Sequence, residues 1–149
     1  MTIFLPAVHA REIGLHGESA YPEEGAGLLL GSIEDGGLRR VLRTLPLPNR
    51  WEDQARTRRY RIDPLDLVEA EEKAEEDGLT ILGIYHSHPD HPARPSAFDL
   101  ERALPFYTYL ITEVRSGEAV ENRAWRLAED RGSFEEEGLT VVPQQKEDR

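Results

Sequence analysis

The chain has 149 residues, enough for one domain built around one sizeable core. It carries 29 acidic against 18 basic residues, a formal net charge of -11, so it repels phosphate backbones and a nucleic-acid partner is disfavoured. It has no cysteine, which excludes disulfides and thiolate-held zinc and leaves His, Asp and Glu as the only metal donors.

No apolar run approaches the ~18 residues of a membrane span, and the segment 1–5 lacks the basic and apolar regions of a leader peptide. A membrane partner is therefore not expected, and the expected location is the cytoplasm. No repeat or linker divides the chain, so residues 1–143 are read as one domain and 144–149 as a polar tail.

Thr2–Leu5 reads as a short strand. Pro6 can open a helix running to about Tyr21, with Val8, Ile13 and Leu15 as a partial apolar face. Ala26–Gly31 is a continuous apolar run, the signature of a strand buried on both sides. A turn at Glu34–Gly37 leads to a strand over Leu38–Leu45, and Pro48–Arg58 is polar and irregular, hence a surface loop. Arg59–Ile62 is short and extended. Asp63 and Pro64 supply the N-cap and first position of a helix that Gly78 ends. In this helix Leu65, Val68 and the alanines form the expected inner face, and Glu69, Glu71, Glu72, Glu75 and Glu76 face water.

Leu79–His86 is a further apolar strand, and Ser96 to about Leu104 a short helix. Strands follow at Tyr107–Val114 and Ala119–Leu127, with a weaker one near Leu139–Val142. Strands and helices mix without strict alternation, which predicts an α+β fold: a mixed β-sheet flanked by helices.

The chemistry concentrates between Gly83 and Asp99. His86 and His88 are two apart at the end of a strand, so both imidazoles leave the same face and can chelate one borderline-soft cation such as Zn²⁺. Pro89 stops the strand, and Ser96 and Asp99 lie three apart at a helix start, neighbours on one side of it. Asp99 can give an oxygen ligand. Two histidines and one carboxylate leave a tetrahedral fourth position for water, as in catalytic zinc sites. Each fragment also has a plain structural reading: a surface histidine pair, and a Ser96/Asp99 capping box. The two readings of Ser96 are compatible, because the cap also orients Asp99. His91 in the intervening loop is taken as solvated, and His9 and His16 receive no role.

The block His86-Ser87-His88-Pro89, seven residues from Pro89 to Pro95, then Ser96-Ala97-Phe98-Asp99, resembles the JAMM (MPN-plus) zinc metallopeptidases. Their upstream glutamate is matched in Pro22-Glu23-Glu24-Gly25-Ala26-Gly27-Leu28-Leu29-Leu30-Gly31, which selects Glu24 over Glu23. The likeness extends through Leu47-Pro48-Asn49, Tyr85 and Tyr109-Leu110-Ile111, and departs at Ala26, where bacterial members often carry Cys. The resemblance implies a single MPN domain of cytidine-deaminase-like fold. It implies Zn²⁺ on His86, His88 and Asp99, Glu24 as the base for water, and Ser96 as a donor to the oxyanion. It also implies hydrolysis of an amide or isopeptide bond after the Gly-Gly tail of a ubiquitin-like or sulfur-carrier protein. The 50–58 loop is the expected contributor to the groove for that tail. The competing reading is a non-catalytic MPN scaffold, which typically loses motif residues that this chain keeps. Deaminase zinc chemistry is excluded because its cysteine ligands are absent.

Overall fold

The structure, a computed structural model, describes residues 2–52 and 54–143. The tail expected over 144–149 lies outside the described residues. Among the described residues, seven strands run in chain order as β1 (Thr2–Pro6), β2 (Ala26–Ile33), β3 (Arg39–Leu47), β4 (Thr80–Pro89), β5 (Thr108–Arg115), β6 (Glu118–Leu127) and β7 (Phe134–Val142). Three α-helices join them: α1 (Ala7–Ala20), α2 (Pro64–Glu76) and α3 (Ala97–Arg102). Single turns of 3₁₀-helix occur at Asp35–Gly37 and Gln54–Thr57.

The strands form one mixed sheet in the order β1-β3-β2-β4-β5-β6-β7, and parallel pairing of β1 with β7 closes it into a barrel. The β1–β3 and β4–β5 pairs are also parallel, and the remainder antiparallel. Closure removes the sheet edges that would otherwise present unpaired backbone groups. This is the α+β domain expected from the mixture of elements.

The two faces of the sheet carry separate cores. One holds Ile3, Leu5, Leu29, Val41, Leu82 and Leu110, against which α1 packs through Ile13. The other holds Leu28, Leu30, Ile81, Ile84 and Tyr109, covered by Ala70 and Ala74 of α2. β2 is buried on both sides, as its unbroken apolar run requires. β4 carries one extra residue opposite β2, since Leu29 pairs with Gly83 but Leu30 with Ile81. This bulge puts Ile81 and Ile84 on the same face, and the strand's alternation beyond it sends His86 and His88 to the α2 side. A Cβ on Gly83 would collide with the Thr108 carbonyl oxygen of β5, so only glycine fits there.

Several elements depart from expectation. Leu65 and Val68 do not face the core: they are 73% and 48% exposed, and the inner stripe of α2 is Leu67, Ala70 and Ala74, at the i, i+3, i+7 spacing of one helix face. In α1 only Ile13 of the expected apolar face is buried, while Val8 and Leu15 stay exposed. Pro6 closes β1 and stands at the N-cap, so the helix opens one residue later. The last strand, β7, begins at Phe134 rather than near Leu139. Pairing with both β6 and β1 holds this longer strand despite its glutamates.

Candidate metal centre

The site forms where three segments meet at the C-terminal end of β4. β2 runs antiparallel to β4 with Ala26 opposite His86, so the residues ahead of β2 lie alongside His88. Gly25 extends the pairing: its carbonyl accepts from the Ser87 N–H at 2.9 Å, and its own N–H donates to Ser87 Oγ at 2.8 Å. Glu24 is thereby fixed at the mouth of the strand pair. Parallel strands cannot be joined by a tight turn, and the long β4–β5 connection carries α3 back over the strand end, delivering Ser96 and Asp99.

His86, His88 and Asp99 are all buried, and their donor atoms converge. The Nε2 atoms of the two histidines are 3.2 Å apart. Asp99 places Oδ1 3.3 Å from His86 Nε2 and Oδ2 3.1 Å from His88 Nε2. Two imidazole nitrogens and a carboxylate turned toward one point form a group able to hold a metal ion, a match to the chemistry of a divalent cation of zinc type.

Surrounding contacts fix these side chains. His88 Nδ1 lies 2.9 Å from the Pro92 carbonyl, a contact that keeps a ring proton on Nδ1 and so makes Nε2 the nitrogen that would meet a metal. The His86 ring stacks on Tyr60 at 4.5 Å between centroids. Ser96 is the N-cap of α3: its Oγ accepts from the Asp99 N–H at 3.0 Å, and its own N–H donates to Asp99 Oδ2 at 2.8 Å. The loop after Pro89 is pinned by the Trp125 indole donating to the Ala93 carbonyl at 3.0 Å, and by Asp90, which accepts from Tyr21 Oη and the Ser116 N–H. Burial pushes the Asp99 carboxyl up, but the charge of His86, hydrogen bonds with both histidines and the Ser96 N–H overcome it and hold it well below the usual carboxylate range. Burial pulls the other way on His88, and the Asp99 contact prevails to raise it.

Glu24 is only 5% exposed, and among the described residues its Oε1 has no hydrogen-bond partner. Burial pushes its pKa up to about 7, against the opposing charges of His86 and His88. Its neighbour Glu23 turns outward, with a half-exposed side chain 3.9 Å from Arg56. Glu24, His88 and Ser96 line one cleft of about 340 Å³, together with Arg58, Arg59 and Arg94. The five residues singled out from the motif therefore gather at one strand end, and His91 lines the cleft with Glu24, His88 and Ser96.

Other residues of the site carry no local signal. Asn49 organises the 50–61 loop by donating through Nδ2 to the carbonyls of Glu24 and Arg59, both at 3.0 Å, while its Oδ1 accepts from the N–H groups of Trp51 and Arg61. The Glu24 N–H donates to the Arg56 carbonyl at 2.7 Å. His16, assigned no role from sequence, pairs through Nδ1 with Tyr85 Oη at 2.7 Å behind the strand. A polar residue after a Leu-Pro pair was visible, but nothing in the sequence says which backbone groups it satisfies.

This arrangement places the molecule among JAB/MPN-type domains. Residues 6–128 match the model for prokaryotic homologs of the JAB domain, and the chain belongs to that family. Among curated relatives, a probable TtuB-protein conjugate cleaving protease from Thermus thermophilus is 36% identical over 111 residues, 74% of this chain and 70% of that one. A desampylase from Haloferax volcanii is 39% identical over 104 residues, 69% of each chain, and one from Pyrococcus furiosus is 31% identical over 130 residues, 86% and 83% of the two. A solution structure from Desulfitobacterium hafniense matches with a TM-score of 0.81 at 30% identity, covering 98% of this chain and 96% of that one. A Salinibacter ruber protein matches at 0.69 with 47% identity, over 89% and 86%. A JAB1/MPN domain protein from Archaeoglobus fulgidus, 21% identical with a TM-score of 0.55 over 95% and 96%, shares the fold.

Proposed function

We propose that this chain is a zinc-dependent isopeptidase that cuts the amide bond after the C-terminal Gly-Gly of a ubiquitin-like or sulfur-carrier protein. The observation that carries the reading is the buried Glu24 carboxyl, unpartnered at Oε1, in one cleft with His88 of the His-His-Asp cluster. In the metal-free fold burial lifts its pKa to about 7, toward the range suited to proton transfer at neutral pH, and among the described residues no hydrogen bond occupies that oxygen. The names of the relatives, a conjugate-cleaving protease and two desampylases, support deconjugation as the reaction.

Zn²⁺ on His86, His88 and Asp99 would supply Lewis acidity, polarising the scissile carbonyl and making water acidic enough to ionise near neutral pH. Glu24 takes the proton of the attacking water at Oε1 and later gives it to the departing amine. The Ser96 hydroxyl already accepts from the Asp99 N–H, and its own proton remains free to donate to the oxyanion that develops on the substrate. The Pro92 carbonyl and the α3 cap hold His88 and Asp99 in place while this happens.

The test is to incubate zinc-loaded protein with Gly-Gly carriers joined to a lysine side chain, to a carboxy-terminal extension or to a single amino acid, and to follow the products by mass spectrometry. Release of the intact carrier ending in Gly-Gly is expected, with casein left uncut. Digestion of casein, or cleavage within the carrier, would replace this reading with a general peptidase.

A further inference from the structure

The cleft that holds Glu24, His88 and Ser96 has a second wall made of arginines. Arg58 and Arg59 come from the 50–61 loop and Arg94 from the β4–α3 loop. Acids outnumber bases 29 to 18 in this chain, and among the described residues eight of the fifteen arginines have a carboxylate within 4 Å. Arg40, Arg43, Arg50, Arg115, Arg123 and Arg126 each have one within 3.2 Å. Among the described residues, Arg58, Arg59 and Arg94 have none. Arg59 lies over the Phe98 ring at 4.2 Å, which holds its guanidinium in place, whereas Arg58 and Arg94 are exposed. Arg11, Arg39, Arg102 and Arg131 also lack such a partner among the described residues, but three unpaired arginines on one cleft, beside the candidate base, are cations placed to meet a ligand.

We propose that Arg58 and Arg94, with Arg59 between the ring and the cleft, bind a carboxylate of the substrate next to the scissile bond and so select anionic substrates. The inference rests on the isopeptidase reading, since it is the polypeptide nature of the substrate that makes the anion a carboxylate. Guanidinium forks recognise carboxylates through paired N–H donors. Two places on such a substrate offer one: an acidic side chain just ahead of Gly-Gly, or the free α-carboxylate of the residue released. The second cleft beside Asp99, about 320 Å³, is lined largely by apolar and aromatic groups including Ile62, Leu67, Tyr107 and Tyr109, with Arg61 and Arg102 also on its wall.

The test uses a ubiquitin-like carrier ending in Gly-Gly in three forms. The first has glutamate ahead of Gly-Gly and lysinamide on the isopeptide bond; the second has glutamine there and lysine with its free carboxylate; the third has glutamine and lysinamide. Affinity for the zinc-loaded Glu24→Gln protein is read by fluorescence anisotropy, and cleavage by the wild type in parallel. One carboxylate-bearing form should bind about tenfold more tightly than the neutral form, and which one identifies the source. The preference should fall to about one in Arg58→Gln/Arg94→Gln and weaken with added salt. Equal affinity for all three forms, or a preference that survives in the double variant, would overturn the proposal. If the wild type cleaves none of the three, the isopeptidase reading fails, while the affinity ratio still decides whether the arginine wall selects carboxylates.

Discussion

Glu24 is a buried carboxyl whose environment favours the neutral form, and that has a consequence for stability. In metal-free protein its pKa is about 7 against 4.5 in the unfolded chain, so the folded state holds this proton more tightly. Such a group favours folding at low pH, and the advantage is lost as pH rises from about 4.5 to about 7. At about 1.4 kcal/mol per pKa unit, the cost of ionising it is on the order of 3 kcal/mol. Metal-free Glu24→Gln, neutral at every pH, should therefore melt several degrees higher relative to wild type at pH 8 than at pH 5. Differential scanning calorimetry reads this directly; an equal difference at both pH values would show that the carboxyl is not desolvated. Ser96 offers a second test at the same scale. As a cap alone, Ser96→Ala costs ~1 kcal/mol of stability; as an oxyanion donor it also lowers kcat by roughly 10²–10³-fold. Ser96→Asn separates the roles, because Asn caps about as well but places its donor differently. It should keep most of the stability and remain a poor enzyme, with zinc content measured alongside. Near-normal kcat in a stable, zinc-loaded Ser96→Ala protein would leave Ser96 a structural residue.

Among the elements, the 50–61 loop depends on one side chain. Asn49 satisfies four backbone groups and ties the loop to Glu24, and each buried group left unpaired costs about 1–3 kcal/mol. Asn49→Ala should lower stability by roughly 2–4 kcal/mol and loosen Glu24, giving a larger loss of turnover than of zinc. Parallel metal analysis and kinetics check this; a variant with unchanged turnover would show that the loop does not position the base. β4 gives a sharper case. Gly83→Ala forces a Cβ into the Thr108 carbonyl oxygen, a backbone atom with no room to retreat. A loss of about 3 kcal/mol or more is expected in thermal or denaturant unfolding, and a variant as stable as wild type would contradict the packing described. These elements also show what could be read from sequence. His86 with His88, and Ser96 with Asp99, were legible because strand alternation and the first helical turn are local rules. Glu24 was not: its place depends on Ala26 pairing with His86 across 60 residues, and only the family resemblance separated it from Glu23. Leu65 and Val68 misled because their bulk suggests the core, whereas the close approach of α2 to the sheet is made by the small Ala70 and Ala74. The stacking of Tyr60 on His86 comes from an irregular loop that follows no period.

At the scale of the molecule, the β2–β4 pairing and the β4–β5 connection bring three distant segments to one strand end. The chain is acidic overall, while Arg58, Arg59 and Arg94, without an ion pair among the described residues, line the cleft. No helix among the described residues is long and apolar enough to cross a membrane. Zinc removal tests how far the cluster organises this end of the fold. His88→Ala should lose zinc and, with it, the thermal stabilisation that zinc gives the wild type. Unchanged zinc content in that variant would remove His88 from the proposed centre. The central claim is tested most directly by cleavage of a Gly-Gly isopeptide conjugate by Glu24→Gln protein shown to carry one zinc per chain. Full zinc content is expected with turnover reduced about 10²–10⁴-fold, since an amide cannot take the proton of water. Near-normal cleavage by zinc-loaded Glu24→Gln would contradict it.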